Sequence, residues 1–131
     1  MLSKSAEFSC EVRFDPEVPC VIMDWRGYAT KAAFRAGNER VLDAIVARRA
    51  EKLLGDISDF VLISAEDQRW LNETWIPQAI EAGLRRVALV QPSFYFNRVA
   101  VESVIAKLDP ARLEVGYFPD LAAARSWLAA G

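Results

Sequence analysis

The sequence predicts an α/β domain: a mixed sheet of about five strands packed by about four helices, in the order β-β-α-β-α-β-α-β-α. Three observations carry this. Phe8, Cys10, Val12 and Phe14 alternate with Ser9, Glu11 and Arg13, the period of a strand with one wet face. Val87 to Val90 form a short, wholly apolar run, as a parallel strand buried on both faces requires. Apolar residues recur at helical spacing between the strand candidates, most clearly at Val101, Val104, Ile105 and Leu108. The 131 residues contain no linker, low-complexity tract or internal repeat, so residues 1–131 read as a single domain.

The elements follow in order. Asp15-Pro16-Glu17 turns the first strand back on itself. Val21, Ile22, Met23 and Trp25 form a more continuously apolar strand that lies deeper, and Gly27-Tyr28-Ala29 ends it. Asp24 within that run faces solvent or holds a partner, because an unpaired buried carboxylate is costly. Thr30 is the N-cap of a helix through Ala50 with Phe34, Val41, Leu42 and Ile45 on its inner face. Gly37 lowers the intrinsic stability of that helix by about 1 kcal/mol relative to Ala, a cost that close packing on the sheet would offset.

A short third strand, Lys52-Leu53-Leu54, leads into an acidic and hydroxyl-rich turn. Ser64 then caps a long amphipathic helix by accepting the Asp67 N–H, with Asp67 as a short capping-box acid. Pro77 removes the bond to the Glu73 carbonyl and predicts a kink near Thr74. Gly83 ends this helix, Pro92 stops the fourth strand, and the third helix ends at Asp109-Pro110. Leu113, Val115 and Tyr117 mark a fifth strand. Pro119-Asp120 caps a last helix carrying Leu121, Ala124 and Leu128, with Trp127 beside them.

Composition removes several classes of function. The net charge is −2, and Arg48-Arg49 and Arg85-Arg86 are the only tight basic pairs, so no phosphate-binding stripe exists and nucleic acid is not an expected partner. There is no histidine, hence no Ser-His or Cys-His nucleophile, and with no catalytic motif the chain does not read as an enzyme. Cys10 and Cys20 alone cannot build a zinc site. A hairpin centred on Asp15-Pro16-Glu17 sets Cys10 opposite Met23 or Asp24, so two buried free thiols are expected rather than a disulfide. Asp56, Asp59, Glu66 and Asp67 lack the spacing of a hard-cation loop, so neither metal nor cofactor is expected. Met1 to Ser5 lack an export-signal core and no apolar run approaches about 18 residues, which implies a cytoplasmic protein without a membrane span.

Ligands of open α/β sheets bind at the carboxyl ends of strands. This directs attention to the segment 56–76, with Asp56, Ser58, Ser64 and Trp70 as candidate contacts. Trp70 and Trp75 are five positions apart, about 140° around an α-helix, so one is core and the other nearer the surface. Phe94-Tyr95-Phe96 follow the fourth strand directly, and three aromatics in a row cannot all enter the core. At least one lines a cleft or stands exposed as a binding contact.

The element order and four segments carry a resemblance: DISDFVLISAEDQRWL, MDWRGYAT at 23–30, SAEDQRWLNETWIPQAIEAGLRRVAL at 64–89 and LEVGYFPDLAAARSWL at 113–128. Together they resemble the STAS fold of anti-sigma factor antagonists, closest to the small stand-alone SpoIIAA-like proteins of STAS/SEC14 type. In the antagonists a strand ends in Asp, and an Asp-Ser pair at the next helix start carries the phosphorylated Ser. Asp56 takes the strand-end position, Ser64 falls on the Asp and Ala65 on the phosphoacceptor. Ser64 is then either a phosphoacceptor displaced by one residue or simply the helix cap. The resemblance implies a non-enzymatic regulatory or protein-interaction module working through 56–76 and 93–96, with a homodimer among the candidate assemblies. Its SEC14 side implies the alternative, a small apolar ligand or lipid. That reading requires an apolar cavity between sheet and helices, with Phe94, Tyr95, Phe96 and Trp70 near its mouth.

Overall fold

Strand β1 (Ser9–Asp15) pairs antiparallel with β2 (Cys20–Gly27), because β1's alternating apolar side chains need only one covered face. The computed structural model describes residues 8–61 and 64–131; Met1 to Ser5, and Leu62-Ile63 of the expected acidic turn, lie outside them. The turn takes in four residues, Pro16 to Pro19, so Cys10 faces Trp25 rather than Met23 or Asp24. The two cysteines are buried and free, and desolvation pushes each thiol up to about 11.

Strands β3 (Lys52–Phe60), β4 (Arg86–Val90) and β5 (Glu114–Phe118) continue the sheet in parallel, in the spatial order β1-β2-β3-β4-β5. Val87, Ala88 and Val90 are buried on the two faces of β4, as its apolar run requires. The third strand corrects an expectation. It runs nine residues to Phe60, so Asp56, Ser58 and Asp59 stand in a strand rather than in a turn. Carboxylates are tolerated there because that part of the sheet face carries no helix and Asp56 satisfies its neighbour Ser58.

Four helical units complete the expected order. Helix α1 (Lys31–Arg48) starts on Thr30, whose hydroxyl accepts the Ala33 N–H at 3.1 Å. It ends two residues short of the expected limit, where left-handed Arg49 (φ 51°) turns Ala50 into the core. Phe34, Val41 and Ile45 are buried, while Leu42 is half-buried. Gly37 sits against Trp25: a Cβ there would stand 2.7 Å from the indole ring.

The second unit comprises α2 (Ala65–Trp70), a π-helical turn (Leu71–Trp75) and α3 (Ile76–Glu81). Ser64 caps it as expected, its hydroxyl accepting the Asp67 N–H at 3.1 Å. The buried Oδ1 of Asp67 has no hydrogen-bond partner among the described residues. The kink expected near Thr74 takes the form of the π-turn. The Ile76 N–H reaches back five residues to Leu71, and Pro77 falls in the first turn of α3, where a missing N–H is no loss. Gly83 (φ 117°) closes a Schellman motif, with Gly83 N–H on Ile80 and Leu84 N–H on Ala79, both at 3.0 Å.

Helix α4 (Tyr95–Ala106) starts well before the Val101 stripe, so the aromatic trio belongs to a helix start rather than a loop. Helix α5 (Leu121–Ala130) is capped by Asp120, which accepts the Ala123 N–H at 2.8 Å, and it leaves Leu121 exposed. The larger core lies under α1, α3 and α4, with Trp25, Phe34, Ile45, Leu53 and Val87 among its members. A smaller one lies under α5, where Ala124 and Leu128 meet Cys20, Leu54 and Ala88.

Two stability measurements check these packings. Gly37→Ala gains about 1 kcal/mol of helix propensity but forces a methyl into Trp25, at a cost of about 1–3 kcal/mol, so a net loss is expected in urea unfolding. A higher urea midpoint would show that α1 is free to lift from the sheet. Ser64→Ala removes the cap and costs about 1 kcal/mol, whereas Ser64→Asp retains stability.

Candidate functional site

Asp56 occupies β3 between Asp24 of β2 and Val90 of β4. Its Oδ1 accepts both the N–H and the hydroxyl of Ser58, at 3.1 and 2.7 Å. The bonding arises from a bulge: three steps along β3, Asp56 to Asp59, match two along β2, Asp24 to Arg26, and the extra residue turns to its own neighbour. Glu11, Asp24 and Asp56 thereby form an acidic row across neighbouring strands. Arg26 offsets part of it, bonding Asp24 at 3.3 Å and pairing with Asp59 at 3.5 Å, which supplies the partner that Asp24 needs. No group of three or more Cys, Asp or Glu side chains able to hold a metal occurs among the described residues.

Strand alternation puts Asp56 with Leu54 on the α5 side of the sheet, whereas Trp70 lies on the opposite, helical side. The candidate residues of 56–76 therefore do not form one surface. Ser58 does link to the aromatic segment, its carbonyl accepting the Ser93 N–H at 3.1 Å.

Ser64 is exposed, with its hydroxyl committed to the cap, and exposed Ala65 follows as the first residue of α2. Lys31 pairs with Glu66 at 2.5 Å and holds its carboxyl below the usual range. Trp70 is half-buried, edge-on to Phe34 at 6.1 Å and covered by the Arg35 guanidinium at 5.1 Å. Trp75 is buried and donates its indole N–H to the Asn38 carbonyl at 2.6 Å. One tryptophan is core and the other nearer the surface, as expected. Both reach α1, because the π-turn winds more slowly than an α-helix and so narrows the angle between them.

Phe94, Tyr95 and Phe96 are 57%, 70% and 73% exposed, so all three stand in solvent where at least one was expected. Tyr95 and Phe96 pack edge to face at 5.6 Å, and exposed Val99 extends the patch. Its base is fixed. The Asn97 amide donates to the Phe60 carbonyl, and the Arg98 Nε donates to the Pro92 carbonyl at 2.9 Å.

Beneath α4 the core contains an apolar cavity of about 130 Å³. Met23, Leu53, Val87, Leu89 and Val115 form its sheet wall, while Trp75, Ile76, Val101, Val104 and Ile105 form much of the helical wall. Trp70 and the aromatic trio, expected near its mouth, are not among the lining residues, which include Trp75, Pro92 and Asn97. Sequence reasoning named the cavity as a requirement but missed Asn38 and Asn97, the polar residues in its wall. Asn97 gives a faint signal, as an amide two residues after the start of an otherwise apolar helix face.

No protein-family model matches the chain, and no curated protein matches it. Solved structures do. An anti-sigma factor antagonist from Mycobacterium paratuberculosis superposes with a TM-score of 0.62 at 14% identity, over 97% of this chain and 98% of that one. An uncharacterised DUF3478-family protein with a SpoIIAA-like fold, from Shewanella loihica PV-4, gives 0.63 at 18% identity, over 98% of each chain. The strand order, the parallel crossovers and this end-to-end superposition agree, and the chain has a STAS-type, SpoIIAA-like fold.

Proposed function

We propose that this protein is a non-enzymatic regulatory module that acts by binding a protein partner through the first turn of α4. The carrying observation is the exposure of Phe94, Tyr95 and Phe96 on a helix start pinned by Asn97 and Arg98. Rigid exposed aromatics lose little entropy on binding and are the residues from which interface hot spots are built. The similarity to an anti-sigma factor antagonist supports a regulatory role for the fold. Regulation here does not use residue 65, where an alanine has no hydroxyl. Ser64 offers a hydroxyl one position earlier, and a phosphate there would lie favourably on the helix dipole. The partner is another protein or a second copy of the chain, in a cytoplasm that keeps Cys10 and Cys20 reduced. Among the described residues no helix is long and apolar enough to cross a membrane.

The cavity favours a second reading, in which the core holds an apolar small molecule or lipid. Native mass spectrometry of protein purified without refolding tests it: a co-purified mass lost on denaturation is expected.

The interaction reading is tested with a photo-crosslinking residue at position 96 and a control at exposed Ala122. One protein adduct is expected at 96 and none at the control. Tyr95→Ala should weaken the identified complex by about 30-fold or more, the loss typical of a hot spot at about 2 kcal/mol. Equal, unspecific labelling at both positions would exclude this face as the docking surface.

A further inference from the structure

We infer that the cavity beneath α4 is a site for a small, uncharged and wholly apolar guest of benzene size, and not for the charged head of an amphiphile. The inference rests on the apolar-ligand reading above and narrows its chemistry. The volume is about 130 Å³. An engineered cavity of roughly 150 Å³ lined by Leu, Ile and Phe stays dry and takes benzene, so the space suits one ring or a short branched alkane.

The walls decide the charge. Asn38 and Asn97 are the only polar side chains among the lining residues apart from the tryptophan N–H groups. One N–H of each amide is already held by backbone: Asn38 donates to the Phe34 carbonyl at 3.0 Å, and Asn97 donates to the Phe60 carbonyl. The Trp75 indole N–H is used as well, on the Asn38 carbonyl at 2.6 Å. No Lys, Arg or hydroxyl side chain lines the space, so a carboxylate or phosphate drawn into it would leave water without gaining a partner. A neutral hydrocarbon asks nothing of these groups. It gains dispersion contacts with Leu89, Val104 and Ile105 that an empty cavity forfeits.

The test uses the full chain with benzene, toluene and sodium octanoate as probes. Thermal unfolding and methyl NMR of Val87, Val104 and Ile105 are recorded together. Toluene and benzene are expected to raise the midpoint by several degrees and shift the lining methyls, while octanoate does neither. Val104→Phe, which fills the space, should abolish the toluene shift. If that variant does not fold, Val104→Leu, which adds one carbon to the same wall, supplies the comparison with a milder fill. Octanoate perturbing the same methyls as strongly as toluene would overturn the uncharged assignment while leaving the apolar-ligand reading intact. No lining-methyl response to any probe, or a response confined to residues 94–96, would overturn both.

Discussion

The close approach of α1 to the sheet, at Gly37 on Trp25, sets the geometry of the whole helical side. A single added carbon would stand 2.7 Å from the ring, so the helix axis has no room to move inward and every neighbour is placed by it. Trp25 gathers Phe8, Phe34 and Phe60 at 5.8, 5.4 and 5.3 Å between ring centres. Such tilted pairs add specificity to the area they bury. Phe34 passes the contact on to Trp70, and the Asn38 carbonyl, one turn further along α1, receives Trp75. The helix from 65 to 81 is thus hung from α1 at two points, and the cavity is the space left between that assembly, α4 and the sheet.

The two faces of the sheet do different work. The helical face holds the larger core, the cavity and the aromatic patch. Among the described residues the opposite face carries only α5, which seals a smaller cluster reaching from Cys20 on β2 to Phe118 on β5. Arg86 stacks on Trp127 at 3.8 Å and pairs with Glu114 at 2.9 Å, fixing the outer end of that helix. Arg125 ties it to the hairpin through Asp15 at 2.9 Å and Glu17 at 3.0 Å. Such exposed ion pairs contribute little energy, so α5 is held chiefly by Ala124 and Leu128.

Sequence reasoning read the parts of this fold that rest on local rules. The strand period of 8–14, the caps at Thr30, Ser64 and Asp120, and the glycine at 83 each follow from chemistry within a few residues. What it misread depended on neighbours distant in the chain. Asp56 and Ser58 read as a turn because polar residues in a central strand need a bare sheet face, and nothing local announces one. The start of α4 was hidden for the converse reason. Phe94, Tyr95 and Phe96 break the amphipathic pattern by pointing outward, and no side chain caps the helix. Pro77 announced a disruption, but nothing local says that it is taken up as a π-turn that brings both tryptophans onto α1. The cavity lies furthest from local rules, since its walls come from strands and helices spread between Met23 and Val115.

The acidic row of Glu11, Asp24 and Asp56 bears on how copies of this protein behave in a crowded solution. The part of a sheet face that a helix leaves uncovered offers a surface on which a second sheet could settle. Here neighbouring strands present carboxylates side by side, with Arg26 offsetting only part of the charge. Stacking two such faces by a two-fold axis would bring like charges together as water is expelled, where their repulsion is strongest. Keeping the row costs some repulsion within one molecule and makes sheet-on-sheet association unfavourable between molecules.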